Sequence, residues 1–306
     1  MFCEEDAVKL RNWLLFVLLV FLWGSNWPLM KIGLGFATPL SFVLHRFLIS
    51  AVVLLPLFIV LRKSIPRDAN TLLMMTGLCI VFVSAMIAQS IGLVEGSSGI
   101  GALLIYTQPL FVFCLAVPLL KEKVTVVKVI GVLLGFAGVV TLFLGRINLF
   151  SLHAAVTMLS SAVFWAVATV YYKKYLSHVD PLITNEMQLL VGSIPLIIWS
   201  FTTNSFTHST DATYLWILLC SSTGALAFGN VIWLFLLKHE EATTLSASSL
   251  LVPALAMFFG WQLLGESITT ESVLGSILTL SGVGLVNLRR RNNHRSIGQI
   301  SVRMFK

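Results

Sequence analysis

Charge is scarce in this chain. Only 11% of its 306 residues are Asp, Glu, Lys or Arg, where a soluble domain carries roughly 25%. With 57% hydrophobic residues and a mean hydropathy of +0.93, it has too little polar surface to face water. Its solvent is therefore mostly lipid. Catalytic signatures are missing too. No GxxxxGK[ST] loop is present, which argues against direct ATP use. There is no HExxH, no compact metal-ligand cluster and no GxSxG elbow, and the six histidines are scattered. The four cysteines, Cys3, Cys79, Cys114 and Cys220, form no CxxC pair. Three of them fall in apolar segments, which points to packing rather than to a disulfide or metal framework. No catalytic residue, metal or cofactor is expected.

Long apolar runs are what the chain does have. LLFVLLVFLW at 14–23 is unbroken, whereas a β-barrel strand would alternate polar and apolar residues. Helices satisfy their own backbone groups in lipid and need about 20 apolar residues to cross. The pattern predicts an all-α membrane protein with ten spans. They fall at about 12–33, 38–61, 71–93, 98–120, 125–144, 152–173, 181–202, 212–237, 242–264 and 269–288. The leader MFCEEDAVKLRN holds three acids and no small-residue cleavage site follows, so the first span does not read as a cleaved signal.

Basic residues then give sidedness. Ten spans put both termini on one side. That side collects 17 of the 20 Lys and Arg, six of them in the tail RRRNNHRSIGQISVRMFK. The other side holds Lys31 and Arg146, and Arg46 lies within a span. Cytoplasmic loops carry the positive excess, so both termini are expected in the cytoplasm and the protein in the cell membrane. The net charge of +7 is then a topology signal and not a mark of nucleic-acid binding. The tail suits anionic lipid.

The chain also repeats itself. PLFVFCLAVPLLKE at 109–122 returns as PALAMFFGWQLLGE at 253–266. An offset of 144 pairs Pro109 with Pro253, Glu122 with Glu266, Gly131 with Gly275 and Gly138 with Gly282. An offset of 142 pairs Trp23 with Trp165, Lys31 with Lys173 and Pro39 with Pro181. Residues 1–145 and 146–306 are thus expected to be two five-helix units. Five is odd, so the second unit is inverted relative to the first. Inverted repeats are a recurring transporter design, since exchanging the conformations of the halves gives an inward-open and an outward-open state of similar energy.

WGSNWPLMKIGL (23–34), the two Pro-to-Glu segments and IGVLLGFAGVVTL (130–142) resemble the EamA family of the drug/metabolite transporter superfamily, over roughly residues 12–288. The resemblance implies two EamA repeats, ten helices and transport of small metabolites such as amino acids, usually outward. Import of a vitamin- or nucleoside-like compound on the same fold is the alternative. A membrane enzyme or scaffold would want a catalytic cluster or polar docking surface, and the sequence offers neither. The expected partners are a small solute and lipid. Monomer and homodimer both remain open.

Polar and aromatic residues inside spans are costly and mark protein-facing or watery surfaces. Trp23 and Trp27 share a helix face, with Asn26 beside them. Trp165 and Thr169 repeat the spacing on the sixth span. Gln89 and Trp233 are repeat equivalents, as are Met86 and Asn230. Tyr106 and Ser249 lie about one turn before Pro109 and Pro253. These faces are expected to wall one central solute cavity. Gln108 points away from the Tyr106 face in a continuous helix and reads as interhelical glue. Three ionisable groups lie in spans. Arg46, with His45 as neighbour, sits near 10 Å deep at 1.5 Å per residue. Glu186 lies about five residues into the seventh span, too far vertically for an easy ion pair with Arg46. It reads equally as a proton-coupling group or a snorkelling one. Arg46 reads as a structural group or as part of the solute site or gate. The glycines Gly131, Gly135, Gly138, Gly275 and Gly282 allow close helix contact. Glu122 and Glu266 precede Thr125 and Thr269 by three residues and read as acids at helix starts.

Overall fold

The computed structural model describes residues 2–95, 98–123, 125–142, 151–203, 206–207, 209–265, 270–271 and 273–286. Arg146, Glu266, Thr269 and the basic tail, on which expectations were placed above, lie outside these residues. The described residues are helical between short connections, with no strand among them.

The elements are α1 Phe2–Gly33, α2 Pro39–Val60, α3 Ala69–Glu95, α4 Ser98–Ile105, α5 Gln108–Leu120, α6 Val126–Leu142, α7 Leu152–Tyr171, α8 Pro181–Thr203, α9 Ala212–Ser221, α10 Asn230–His239, α11 Ala242–Ser248 and α12 Leu251–Leu264. A last apolar helix, α13, covers Val273–Val286. Local chemistry sets several boundaries. Pro39 opens α2, where its missing N–H costs nothing. Ser151 caps α7 by accepting from the Ala154 N–H at 3.1 Å, and Asp211 caps α9 through the Thr213 N–H at 2.7 Å. Gly265 ends α12 at φ +66°, a left-handed stop that suits glycine.

Among the described residues, seven helical stretches are long and apolar enough to cross a membrane, and α5, α6 and α13 are shorter apolar helices. The expected continuous spans 98–120 and 242–264 are both interrupted. The first breaks at Tyr106–Thr107 and the second at Ser249–Leu250. Each break lies just before a proline, Pro109 or Pro253, which cannot donate back to the preceding turn. A π-helical segment, Ser222–Gly229, joins α9 to α10, and another, Tyr172–Leu176, extends α7.

α1 packs on α12 and on the α9–α10 stretch. α7 packs on α3 and on α4 and α5, and α2 packs on α8. α6 meets α13 through glycines within the single chain. A Cβ on Gly131 would lie 2.9 Å from the Gly282 carbonyl, and one on Gly138 would lie 2.7 Å from the Gly275 carbonyl.

Two lysines tie helix ends. Lys31 Nζ donates to the Leu93 and Val94 carbonyls at 3.0 and 3.1 Å. Lys173 Nζ donates to the Leu237, Lys238 and Glu240 carbonyls at 2.7, 3.2 and 2.9 Å. Each satisfies carbonyls at a helix C-terminus that have no partner within the helix. Glu122 does not serve its own following helix. Its carboxylate accepts from the N–H groups of Ala242 and Thr243 at 2.7 and 3.0 Å and from the Thr243 hydroxyl at 2.6 Å. It therefore caps α11, in the other half of the chain. Lys63 pairs with Asp180. Partial burial would raise the Asp180 carboxyl, but Lys63 and the Leu182 N–H outweigh it and hold the group below its ordinary value.

Candidate functional site

One cavity lies among α1, α2, α3, the α4–α5 break, α7, the α9–α10 stretch and the α11–α12 break. Its non-atom space is about 650 Å³, including space open to solvent. Three tryptophans supply the broad wall. The rings of Trp23 and Trp165 meet edge-on at 5.8 Å, and Trp23 lies 5.2 Å from Trp233. Trp27 faces Tyr106 at 6.4 Å. Trp23 Nε1 donates to the Ala225 carbonyl at 3.3 Å, inside the π-helical segment. A π-helical turn disturbs the regular backbone pairing and is frequent at functional sites.

The same segment organises a polar layer behind the wall. Asn185 donates to the Leu226 and Ala227 carbonyls at 2.9 and 3.1 Å. Asn230 donates to Asn185 Oδ1 and to Gln188 Oε1, the latter at 3.2 Å. Buried amides joined in this way hold one rotamer each, so Asn230 enters the cavity in a fixed pose. Just before that segment, the Ser221 hydroxyl donates to the Asn26 oxygen, which also accepts from Arg46. Asn26 Nδ2 contacts the Met30 sulfur at 3.1 Å, and Gln89 reaches the same sulfur at 3.8 Å.

Of the residues expected to surround a cavity, Trp23, Asn26, Trp27, Gln89, Tyr106, Trp165, Asn230, Trp233 and Ser249 line this one. Thr169 does not. Its hydroxyl turns back to the Trp165 carbonyl at 2.8 Å and accepts from Gln108 at 3.4 Å, so it stands behind the wall. Gln108 is on the wall as well as bonding between helices. A continuous helix would have turned it away from Tyr106, and the break at Tyr106–Thr107 turns it back. Met30, Met86, Ile105, Ala225 and Leu226 complete the lining. Met30 was findable, being one helical turn after Asn26 and Trp27.

The ionisable groups separate. Arg46 is buried and lines the cavity, with its guanidinium also 5.5 Å from the Phe42 ring centre. His45 is outside it, with Nδ1 at 2.8 Å from the Tyr214 hydroxyl. Glu186 is buried, lies outside the cavity, and neither carboxyl oxygen has a hydrogen-bond partner. The snorkelling expectation fails here because the first turns of α8, which hold Glu186, are buried where α8 packs on α2, α3 and α10. Chemically, the cavity offers aromatic faces, neutral amide and hydroxyl tips, and one cation. Apolar walls with a few orienting polar groups suit a small organic ligand. Among the described residues no cluster of His, Cys, Asp and Glu could hold a metal ion.

Comparison with known proteins gives this geometry a context. The EamA-like transporter family matches twice, over residues 11–144 and 152–288. The chain is 32% identical over 299 residues to "Uncharacterized transporter YvbV" of Bacillus subtilis (strain 168), covering 94% of this chain and 95% of that one. It is 27% identical over 306 residues to a "Probable amino-acid metabolite efflux pump" of Salmonella typhimurium, covering 94% and 99%. A solved crystal structure superposes with a TM-score of 0.78 at 17% identity, covering 92% of this chain and 98% of that one. That likeness concerns the fold alone.

Proposed function

The chain belongs to the EamA-like transporter family, and on that premise we propose that it is a secondary carrier exporting amino acids or related amphiphilic metabolites by alternating access. The proposal includes ten crossings as two inverted five-helix units, residues 1–145 and 146–306, with the shorter helices α5, α6 and α13 inside three of them. Both termini are placed in the cytoplasm, on the basic side of the cell membrane.

A contact made twice carries this reading. Lys31 holds the carbonyls of Leu93 and Val94, and Lys173 holds those of Leu237 and Lys238. The lysines are 142 residues apart, and their acceptors are 144 apart. The repeated sequence thus builds the same tertiary contact in both halves. The two helix breaks, before Pro109 and Pro253, double in the same way. Broken helices at the interface of inverted repeats are where carriers place their solute. The equivalent rings of Trp23 and Trp165 touch at 5.8 Å, so an axis relating the halves would pass between them, through the cavity wall. Support for amino-acid efflux comes from the relatives carrying that name.

The test is solute flux in proteoliposomes, normalised to reconstituted protein, across a panel of amino acids. Wild type moves at least one of them without ATP. Trp23→Ala, Trp165→Ala and Gln89→Ala each change its rate or selectivity while expression stays normal. Three variants that all match wild type would remove the cavity from the transport path. A C-terminal reporter that faces outward would overturn the topology.

A further inference from the structure

We propose that Arg46 is the anion-binding residue of the cavity, and that the cavity takes a carboxylate carried on an aromatic or apolar body. This rests on the reading of the cavity as the solute site and adds the chemical class of the solute.

A guanidinium keeps its proton under all ordinary conditions, so Arg46 brings a fixed positive charge to α2. The residue is 2% exposed. A charge so buried is costly unless it is paired. Arg46 is poorly provided for. Its Nε has no hydrogen-bond partner. One terminal nitrogen reaches the Asn26 oxygen at 3.4 Å, at the long end for a hydrogen bond. That oxygen already accepts the Ser221 hydroxyl. Among the described residues no carboxylate forms an ion pair with Arg46, and neither Asp nor Glu lines the cavity. The buried carboxyl of Glu186 on α8 does not line the cavity either.

The wall therefore presents a cation whose counter-charge is not supplied by any described residue. A solute carboxylate supplies it. The planar fork of a guanidinium matches a carboxylate in geometry and makes short, charge-assisted bonds to it. The Asn26 amide stands beside it as a neutral second contact. The rings of Trp23, Trp165 and Trp233 then meet the rest of the solute. An ammonium group has no such provision. It would find only uncharged partners, the oxygens of Gln89 and Gln108 and the faces of the tryptophan rings, with no carboxylate in the lining to pair with it. Recognition by this cavity depends on the carboxylate, and an amino group is tolerated without being required.

Three probes with one body separate these terms: 3-phenylpropionate, 3-phenylpropionamide and phenethylamine. Binding of each to the purified full-length protein in lipid nanodiscs is measured by titration calorimetry. Wild type is expected to bind the carboxylate about tenfold or more tightly than the amide or the amine, the scale of one charged hydrogen-bonding partner. Arg46→Gln reduces the carboxylate-to-amide ratio to near one while leaving amide binding in place. Asn26→Asp does the same by a different route, because it gives Arg46 an internal counter-charge. Should Arg46→Gln fail to fold, the wild-type ratio and Asn26→Asp still decide. The proposal is overturned if wild type does not prefer the carboxylate, or does not bind it up to its solubility. It is also overturned if either folded variant keeps the preference. Trp233→Ala tests the underlying reading. If it binds the carboxylate as wild type does, the solute sits elsewhere. If it weakens binding while Arg46→Gln keeps the preference, the cavity stands and Arg46 alone loses its role.

Discussion

Consider alanine placed at two glycines of α13, Gly282 and Gly284. The substitutions are chemically identical and lie two residues apart, so they point to different sides of one helix. A Cβ on Gly282 would lie 2.6 Å from the Gly135 Cα, with the Gly135 nitrogen and the Gly131 carbonyl oxygen closer still. All three atoms are backbone, so no side chain can swing away. The helices must separate, and overpacking of this kind costs about 1–3 kcal/mol. A Cβ on Gly284 meets nothing within 4 Å. There alanine gains up to about 1 kcal/mol of helix propensity. At the usual unfolding entropy per residue, 1 kcal/mol in a chain this long is about 2 °C. Thermal unfolding in detergent, followed by the loss of the monodisperse peak, should place Gly282→Ala about 2–6 °C below wild type. Gly284→Ala should lie at or slightly above wild type. Equal midpoints for the two variants would refute the glycine-to-glycine packing of α6 on α13.

Three further perturbations follow from named contacts. Glu122→Ala removes the acceptor of three hydrogen bonds at the start of α11 and should cost about 1–3 kcal/mol, with Glu122→Gln milder because its oxygen still accepts; equal midpoints for wild type and Glu122→Ala would count against the cap. Lys31→Ala and Lys173→Ala should each lower the unfolding midpoint, by similar amounts, because each lysine holds carbonyls at a helix C-terminus; a loss at one lysine alone would count against the proposed equivalence of the halves. Asp180 sits below its ordinary value in the folded protein, so its stabilisation is complete above the unfolded value of about 3.9 and fades as pH falls through the folded value; Lys63→Ala should flatten that acid-side slope of the midpoint, and an unchanged slope would deny the pair.

The helical membrane fold was legible in the long apolar runs, and the paired lysine contacts were legible because the sequence writes the same residues twice. Identical prolines, glycines and lysines at fixed offsets mark positions where backbone geometry, not side-chain fit, is at stake. The cavity wall was legible for a related reason. Tryptophan, asparagine and glutamine within apolar spans are expensive unless they face protein or water, so their helix faces converge. The failures have local causes. Gln108 does bond between helices as expected, but its facing was misread because a helical wheel assumes an unbroken helix, and the helix breaks at Tyr106–Thr107. Thr169 was misread because a helical threonine can satisfy itself on its own preceding turn, as it does at the Trp165 carbonyl. The partner of Glu122 was beyond reach, since the cap it makes joins residues 120 positions apart. The enclosure of Glu186 depends on which helices flank α8, and nothing near it in sequence says so.

The same offsets divide the residues into two kinds, and the division bears on how such a carrier would work. Residues that shape the scaffold are kept in both halves: Trp23 and Trp165, Lys31 and Lys173, Pro39 and Pro181, Pro109 and Pro253. Residues that give the cavity its polarity are not. The counterpart of Arg46 is Gln188, that of Asn26 is Ala168, that of Gln89 is Trp233, and that of Asn230 is Met86. Gln188 does not line the cavity and bonds Asn230 instead. In the proposed carrier, a symmetric scaffold would keep two exchanged conformations close in energy, as reversible access from either side demands. An asymmetric set of polar groups would give the solute one orientation within it. Restoring symmetry at the polar positions should therefore leave folding largely intact while blurring selectivity, whereas breaking symmetry at the lysines or glycines should do the reverse. The first kind of change acts on what is bound, and the second on the frame that holds it.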